Sequence, residues 1–237
     1  MLGRLRERWH ALKAPLVVRQ VRKRRLTYLG YDALSDLHRA VRRTESARVP
    51  GIILEAGCAL GGSLVVLGTA KRPERPLRAY DVFGMIPPPS EEDGPDIHAR
   101  YRTVVGGEAS GIGGDRYYGY QDDLLGSVAD TLRSFGLDPT SHRIDLIQGL
   151  FQETLRVEEP VALAHIDADW YQSVRTCLER IEPHLSLGGS FVIDDYDHWS
   201  GCRKAVDEYF ADKRVRYDFI RRSRLHIVRR TDQSPKL

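Results

Sequence analysis

Residues 51–63 read Gly51-Ile52-Ile53-Leu54-Glu55-Ala56-Gly57-Cys58-Ala59-Leu60-Gly61-Gly62-Ser63. An apolar, β-branched run stops at Glu55-Ala56-Gly57, which is how a buried strand ends in a turn. Gly61-Gly62-Ser63 then opens an apolar helical stretch, so bare backbone can approach a ligand at a helix N-terminus. The pattern reads as a cofactor-binding turn. Its spacing is G-x-x-x-G-G and not G-x-G-x-x-G, which weakens a dinucleotide reading because the glycines that admit a pyrophosphate are misplaced.

Outward from this unit, short apolar runs alternate with helical patterns. Residues 52–55, 77–82, 143–148, 161–167 and 190–195 read as strands; 63–71, 122–135, 171–182 and 202–212 read as helices, the third stopped by Pro183 and the Gly188-Gly189 pair. Alternation of this kind predicts an α/β fold with a doubly wound, Rossmann-like parallel sheet. The runs 216–222 and 225–229, split by Ser223 and Arg224, add a C-terminal antiparallel hairpin. That hairpin separates the pattern from an all-parallel dinucleotide fold.

Acidic residues collect at the predicted strand ends. Asp81 closes the second strand, 26 residues after Glu55, where a carboxylate can accept hydrogen bonds from the ribose hydroxyls of an adenosine. His165-Ile166-Asp167-Ala168-Asp169 ends one later strand and Asp194-Asp195-Tyr196-Asp197 the next. Neighbouring strands lie about 4.8 Å apart, so these acids converge in one crevice. Hard oxygen donors without a local basic run suit Mg²⁺ or a similar divalent cation. His165 reads as structural, and His198 as a candidate polar group of the site.

Residues 84–120 are too long for an ordinary connection and contain Pro87-Pro88-Pro89 and four tyrosines, Tyr101, Tyr117, Tyr118 and Tyr120. Such aromatic content predicts a lid insertion that orders over substrate. At the other end, Leu2, Leu5, Trp9, Leu12 and Leu16 form one stripe on a basic helix disturbed by Pro15, and a second helix is expected from Asp32, as cap, to Arg43. The division expected is a basic helical extension over 1–45 and a main domain over 46–237. Core packing or a subunit contact is the plain use of the stripe; a peripheral membrane contact is the sharper one.

The 237 residues are 41% hydrophobic and 29% charged, which suits a compact domain and excludes pervasive disorder. Residues 1–25 carry nine Lys or Arg against Glu7 alone, a net of +8 within an overall +3. A basic terminus on a mildly acidic body argues against nucleic acid as partner, which needs cations spread over a face. The longest charge-free stretch, 56–70, is too short and too glycine-rich to be a transmembrane segment. Cys58, Cys177 and Cys202 form no pair typical of disulfides or zinc, so a cytoplasmic location is expected.

With these residues in view, the chain from about Thr27 to Lys213 resembles the macrocin O-methyltransferase family, enzymes that use S-adenosylmethionine to methylate sugar hydroxyls on natural products. The resemblance rests on Leu54-Glu55-Ala56-Gly57 with Gly61-Gly62-Ser63, on Gly149-Leu150-Phe151-Gln152-Glu153-Thr154-Leu155, on Asp167-Ala168-Asp169 and Asp194-Asp195-Tyr196, and on Gly201-Cys202-Arg203-Lys204-Ala205-Val206. It implies a methyltransferase sheet and a metal-dependent O-methyltransferase whose ligands are Asp167, Asp194 and Asp195. It further implies methionine-end contacts from Glu55, Gly57 and Ser63, a ribose anchor in Asp81, and an adenine wall from Phe151 and Gln152. Where the family usually has D-G-D this chain has Ala168 in the middle, and Asp197 stands where glycine commonly follows D-D-Y. The expected acceptor is a small molecule or glycosylated substrate, the expected proton acceptor Asp167, with Asp169 or His198 as alternatives, and the expected assembly a homo-oligomer. Two other readings stay open: a nucleotide-sugar-dependent glycosyltransferase with a D-x-D metal site, and a non-catalytic adenosine-binding module.

Overall fold

A computed structural model describes residues 9–231. Seven strands form one sheet: β1 (Ile52–Ala56), β2 (Leu77–Asp81), β3 (Ile144–Gln148), β4 (Val161–Ile166), β5 (Leu185–Ile193), β6 (Tyr217–Arg221) and β7 (Leu225–Arg229). Their order is β3-β2-β1-β4-β5-β7-β6, with the first five parallel and the terminal hairpin antiparallel, β7 lying against β5. Strand order therefore reverses between β1 and β4, and the crevice outside their carboxyl ends is the natural ligand position of such a sheet. β1 and β4 are buried along their whole length, as strands covered on both faces must be.

One face is covered by α1 (Leu16–Lys23), α2 (Tyr31–Ser46), α3 (Gly62–Ala70) and α5 (Leu124–Ser134), whose apolar residues share a core with Ile53, Leu77 and Leu163. The other is covered by α7 (Tyr171–Ile181) and α8 (Ser200–Tyr209), packed on Leu54, Ile166 and Phe191. α3 is apolar all round because it is sandwiched between the sheet and α2, and only Thr69 of its nine residues is exposed. α4 (Pro95–Val105) lies inside the long 84–120 stretch, which has its own small core of Val104, Ala109 and Tyr117; the Tyr120 hydroxyl ties it by donating to Val104 O and accepting from Ala109 N.

Several expectations change in detail. β5 begins at Leu185, five residues early, because Gly188-Gly189 does not end a helix but sits in a bulge: Val161 pairs with Leu185, and the next pair is Leu163 with Ser190. α2 starts at Tyr31 with Gly30 at its cap, and the Asp32 carboxylate accepts from Ala33 N inside the first turn. The boundary at residue 45 does not separate two cores, since α1 and α2 bury Val17, Val18, Val21, Leu34 and Leu37 in the same cluster as β1 and α3. The N-terminal stripe does not provide that packing. Pro15 breaks the helix, α1 buries its valines instead, and Trp9, Leu12 and Leu16 remain 52%, 80% and 62% exposed. Leu2 and Leu5 lie outside the described residues.

Candidate active site

The carboxyl ends of β1, β2, β4 and β5 surround a cavity of about 370 Å³. Its floor is the glycine turn. Gly57 has φ +90° and Gly61 φ +80°, and a Cβ on Gly57 would stand 1.8 Å from the Asp167 carbonyl oxygen, so only glycine lets β1 pass this close to the end of β4. Gly57, Cys58, Ala59 and Ser63 line the cavity, and Gly62 N donates to Leu26 O, fastening α3 to the segment that follows α1. Thr27, Tyr28 and Leu29 of that segment complete the wall.

Asp81 is also at the cavity, but its carboxylate is already engaged. Oδ2 accepts from Cys58 N at 2.6 Å and Ala59 N at 3.1 Å, and Oδ1 from Phe83 N at 2.7 Å. Burial pushes its pKa up against these bonds. Three of its four or so lone-pair positions thus shape the turn, leaving room for one further donor rather than two. Glu55, in contrast, does not line the cavity. It is fully buried beneath the turn, with Oε1 2.9 Å from His165 Nδ1 on the neighbouring strand, while Glu55 Oε2 and His165 Nε2 have no protein partner. Phe151 and Gln152 lie on the far rim, on the short helix α6 (Phe151–Thr154) that follows Gly149.

Opposite the turn stand the acids. One oxygen from each of Asp167, Asp194 and Asp195 can be chosen so that all three lie within 4.8 Å of one another. Burial, together with the charges of Asp194 and Asp169, pushes Asp167 well above the usual carboxylate range, and burial with the charges of Asp169 and Asp167 does the same to Asp195. So many carboxylates on one cavity wall repel when ionised, and a hard cation would relieve them; the donor set fits Mg²⁺, which prefers carboxylate oxygens and water. Arg224, in the β6–β7 turn, already supplies one positive charge, donating from Nε to Asp194 Oδ1 at 2.6 Å. Asp197 is not part of the group. It points outward to Arg221 and Arg203, because the chain turns away after Tyr196.

A profile of the family described as macrocin O-methyltransferase (TylF) matches residues 7–225. The chain belongs to the TylF family. Among curated relatives, it is 26% identical over 192 residues to demethyldecarbamoylnovobiocin O-methyltransferase of Streptomyces niveus, spanning 78% of this chain and 68% of that one. It is 29% identical over 189 residues to a rhamnosyl-tetracenomycin-C 4′-O-methyltransferase of Streptomyces olivaceus, spanning 77% and 67%. Among solved structures, the O-methyltransferase NovP superposes with a TM-score of 0.71 at 24% identity over 87% of this chain and 83% of that one, and the calicheamicin methyltransferase CalS11 with 0.60 at 20% over 84% and 77%. This member of the family is thus an S-adenosylmethionine-dependent O-methyltransferase, which sets aside the glycosyltransferase and the non-catalytic module.

The remainder of the cavity joins Asp169, Tyr117, Tyr118 and His198, which the sequence had singled out, to Trp170, Trp199, Arg100 and Tyr28, which it had not. Trp170 donates from Nε1 to Pro87 O and Trp199 from Nε1 to Asp169 Oδ1, each at 2.9 Å, and the two indoles meet edge to face at 6.0 Å. Asp169 has φ +54°, and burial raises its pKa to about 6 against the pull of the Trp199 N–H. Arg100 of α4 lies over the Tyr117 ring at 5.5 Å, and both line the cavity with Tyr118 and Tyr28. His198 is exposed at the edge. The tryptophans flank the acidic motifs and carried that signal; Arg224 carried none, being one of many arginines in a turn.

Proposed function

We propose that this protein transfers the methyl group of S-adenosylmethionine to a hydroxyl of a sugar, free or attached to a natural product, with Asp167, Asp194 and Asp195 holding Mg²⁺ or a similar divalent cation. The observation that carries the reading is the carboxylate trio facing the glycine turn across one cavity. The relatives support the acceptor class, since they are named for methylating novobiocin, rhamnosyl-tetracenomycin and mycinamicin compounds. A cation bound by the trio would supply Lewis acidity that lowers the acceptor hydroxyl's pKa and fixes its direction.

The chain's own residues divide the remaining work. Gly57 and Ser63 meet the methionine end of the donor, with Glu55 acting from beneath the turn; Asp81 takes one ribose hydroxyl, and Phe151 with Gln152 flanks the adenine. Trp170, Trp199 and Tyr117 give the acceptor side faces on which the apolar side of a pyranose can lie. Asp167 and Asp169 are the carboxylates that can receive the hydroxyl proton. Asp169 is favoured, because it stands outside the trio and the Trp199 N–H steadies one of its oxygens while leaving the other free. His198 is too exposed at the rim to be held against the acceptor.

Labelled methyl transfer onto a panel of rhamnosides and other glycosides, before and after treatment with EDTA, tests the reading. Turnover lost with EDTA, restored by Mg²⁺ and abolished in Asp194→Asn, with S-adenosylhomocysteine binding retained, supports it. Full turnover after EDTA overturns the metal assignment, and transfer only to non-sugar hydroxyls overturns the acceptor.

A further inference from the structure

We propose that the N-terminal face carrying Trp9, Leu12 and Leu16 docks this enzyme on an anionic lipid bilayer. Residues 9–13 are helical and α1 follows at Leu16 after the break at Pro15, and the three apolar side chains are all exposed. α1 buries Val17, Val18 and Val21 on the protein side. Its opposite stripe is Leu16, Arg19, Gln20 and Lys23, all exposed. Lys13 is exposed as well, with its ammonium 4.1 Å from the centre of the Trp9 ring. A tryptophan and two leucines set among cations is the composition by which amphipathic helices seat in a headgroup layer, the apolar groups entering and the cations staying at lipid phosphates.

Charge selects the occupant. Residues 1–25 carry a net +8, so joining this face to the same face of a second copy would bring two strongly basic segments together. An anionic surface is attracted instead, while the rest of the chain, mildly acidic, is held away from it. The face also leads straight into the site. Beginning four residues beyond the end of α1, Thr27, Tyr28 and Leu29 line the cavity, and Tyr28 is 48% exposed at its mouth. Docking through α1 therefore holds the cavity rim close to the bilayer.

The test uses the full-length protein and sedimentation with vesicles of phosphatidylcholine alone or containing about a quarter phosphatidylglycerol. Expected is binding only to the anionic vesicles, weakened at least tenfold by about 0.5 M NaCl. The double variant Leu12→Glu with Leu16→Glu should bind at least tenfold more weakly, yet retain methyl transfer in solution, since neither residue touches the cavity. Light scattering after gel filtration is run alongside. Wild-type protein left in the supernatant with anionic vesicles overturns the proposal. So does binding that the double variant leaves unchanged, or a dimer that the variant dissociates in the absence of lipid binding.

Discussion

Replacing Gly57 by alanine tests the contact on which both halves of the site depend. The added Cβ would lie 1.8 Å from the Asp167 carbonyl oxygen and 2.8 Å from its carbon. Both are backbone atoms, so no side-chain rotation relieves the clash. A left-handed conformation costs an L-residue about 1–2 kcal/mol, and overpacking that shifts backbone about 1–3 kcal/mol more. The sum, about 2–5 kcal/mol, corresponds to a fall in Tm of about 4–20 °C for a chain of this size. Gly136→Ala is the control. Gly136 has φ +75° with nothing within 4 Å of an added Cβ, so only the conformational part, about 1–2 kcal/mol, applies. Scanning calorimetry should rank the two variants in that order, and titration with S-adenosylhomocysteine should show weaker binding in Gly57→Ala alone. A Gly57→Ala melting temperature within about 2 °C of wild type, with unchanged affinity, would refute the claim that β1 and β4 meet here.

Three further outcomes follow from named contacts. Arg224→Met removes the cation on Asp194 Oδ1, so the trio gains net negative charge and should raise its preference for Tb³⁺ over Mg²⁺ by about tenfold in a luminescence competition; an unchanged ratio would show that Arg224 does not influence the trio. Glu45→Gln breaks the bonds that Glu45 accepts from Arg72 and Arg75 at 2.7 Å and should cost about 3 kcal/mol, because it leaves the buried Arg75 guanidinium uncompensated. Burial raises the Glu45 pKa, but the bonds from Arg75 and Arg72 outweigh it and hold it below the ordinary value. Its contribution is therefore fully present above the unfolded pKa of about 4.3 and lost as pH falls through the folded one, so melting curves of wild type and Glu45→Gln should converge in acid. Phe151→Ala should weaken S-adenosylhomocysteine about tenfold in calorimetry while leaving the acceptor KM unchanged; a change confined to the acceptor would move Phe151 to the other half of the cavity.

The sheet was legible because its central strands β1 and β4 are buried on both faces and read as mostly apolar runs, and because acids at such strand ends have one crevice to enter. The strand ends grouped the acids of 167–169 and 194–197, the resemblance picked out Asp167, Asp194 and Asp195 among them, and these three do lie together. Asp197 was not excluded, since the direction of a side chain past a strand end depends on where the chain turns, here toward Arg221. The role of the N-terminal helices was hidden by their charge. Nine cations suggested an appendage, whereas α1 places Val17, Val18 and Val21 inward and Arg19 and Lys23 outward. Gly188-Gly189 resembled a helix stop because a bulge and a C-cap require the same positive φ of glycine.

The turn at the sheet and the 84–120 insertion are tied into the molecule by different sets of contacts. The glycine turn, Asp81 and the end of β4 form one unit through backbone bonds, including Gly57 N to Tyr80 O and Asp167 N to Ala56 O, both 2.9 Å. The insertion at 84–120 reaches the site by other means. Asp93 accepts from Tyr171 N at 2.7 Å and Asp96 from Ser200 N at 3.2 Å, so its carboxylates cap α7 and α8, the helices that begin just beyond the two acidic motifs. Lys204 pairs with Glu92 and Trp170 with Pro87 along the same seam. Helix N-termini are general acceptors of carboxylates, so an insertion of different length or aromatic content can be held by the same caps without moving the turn or the trio. Under the function proposed above, acceptor preference would then follow Arg100, Tyr117 and their neighbours on this piece, while the glycine turn and the acids are positioned by the sheet.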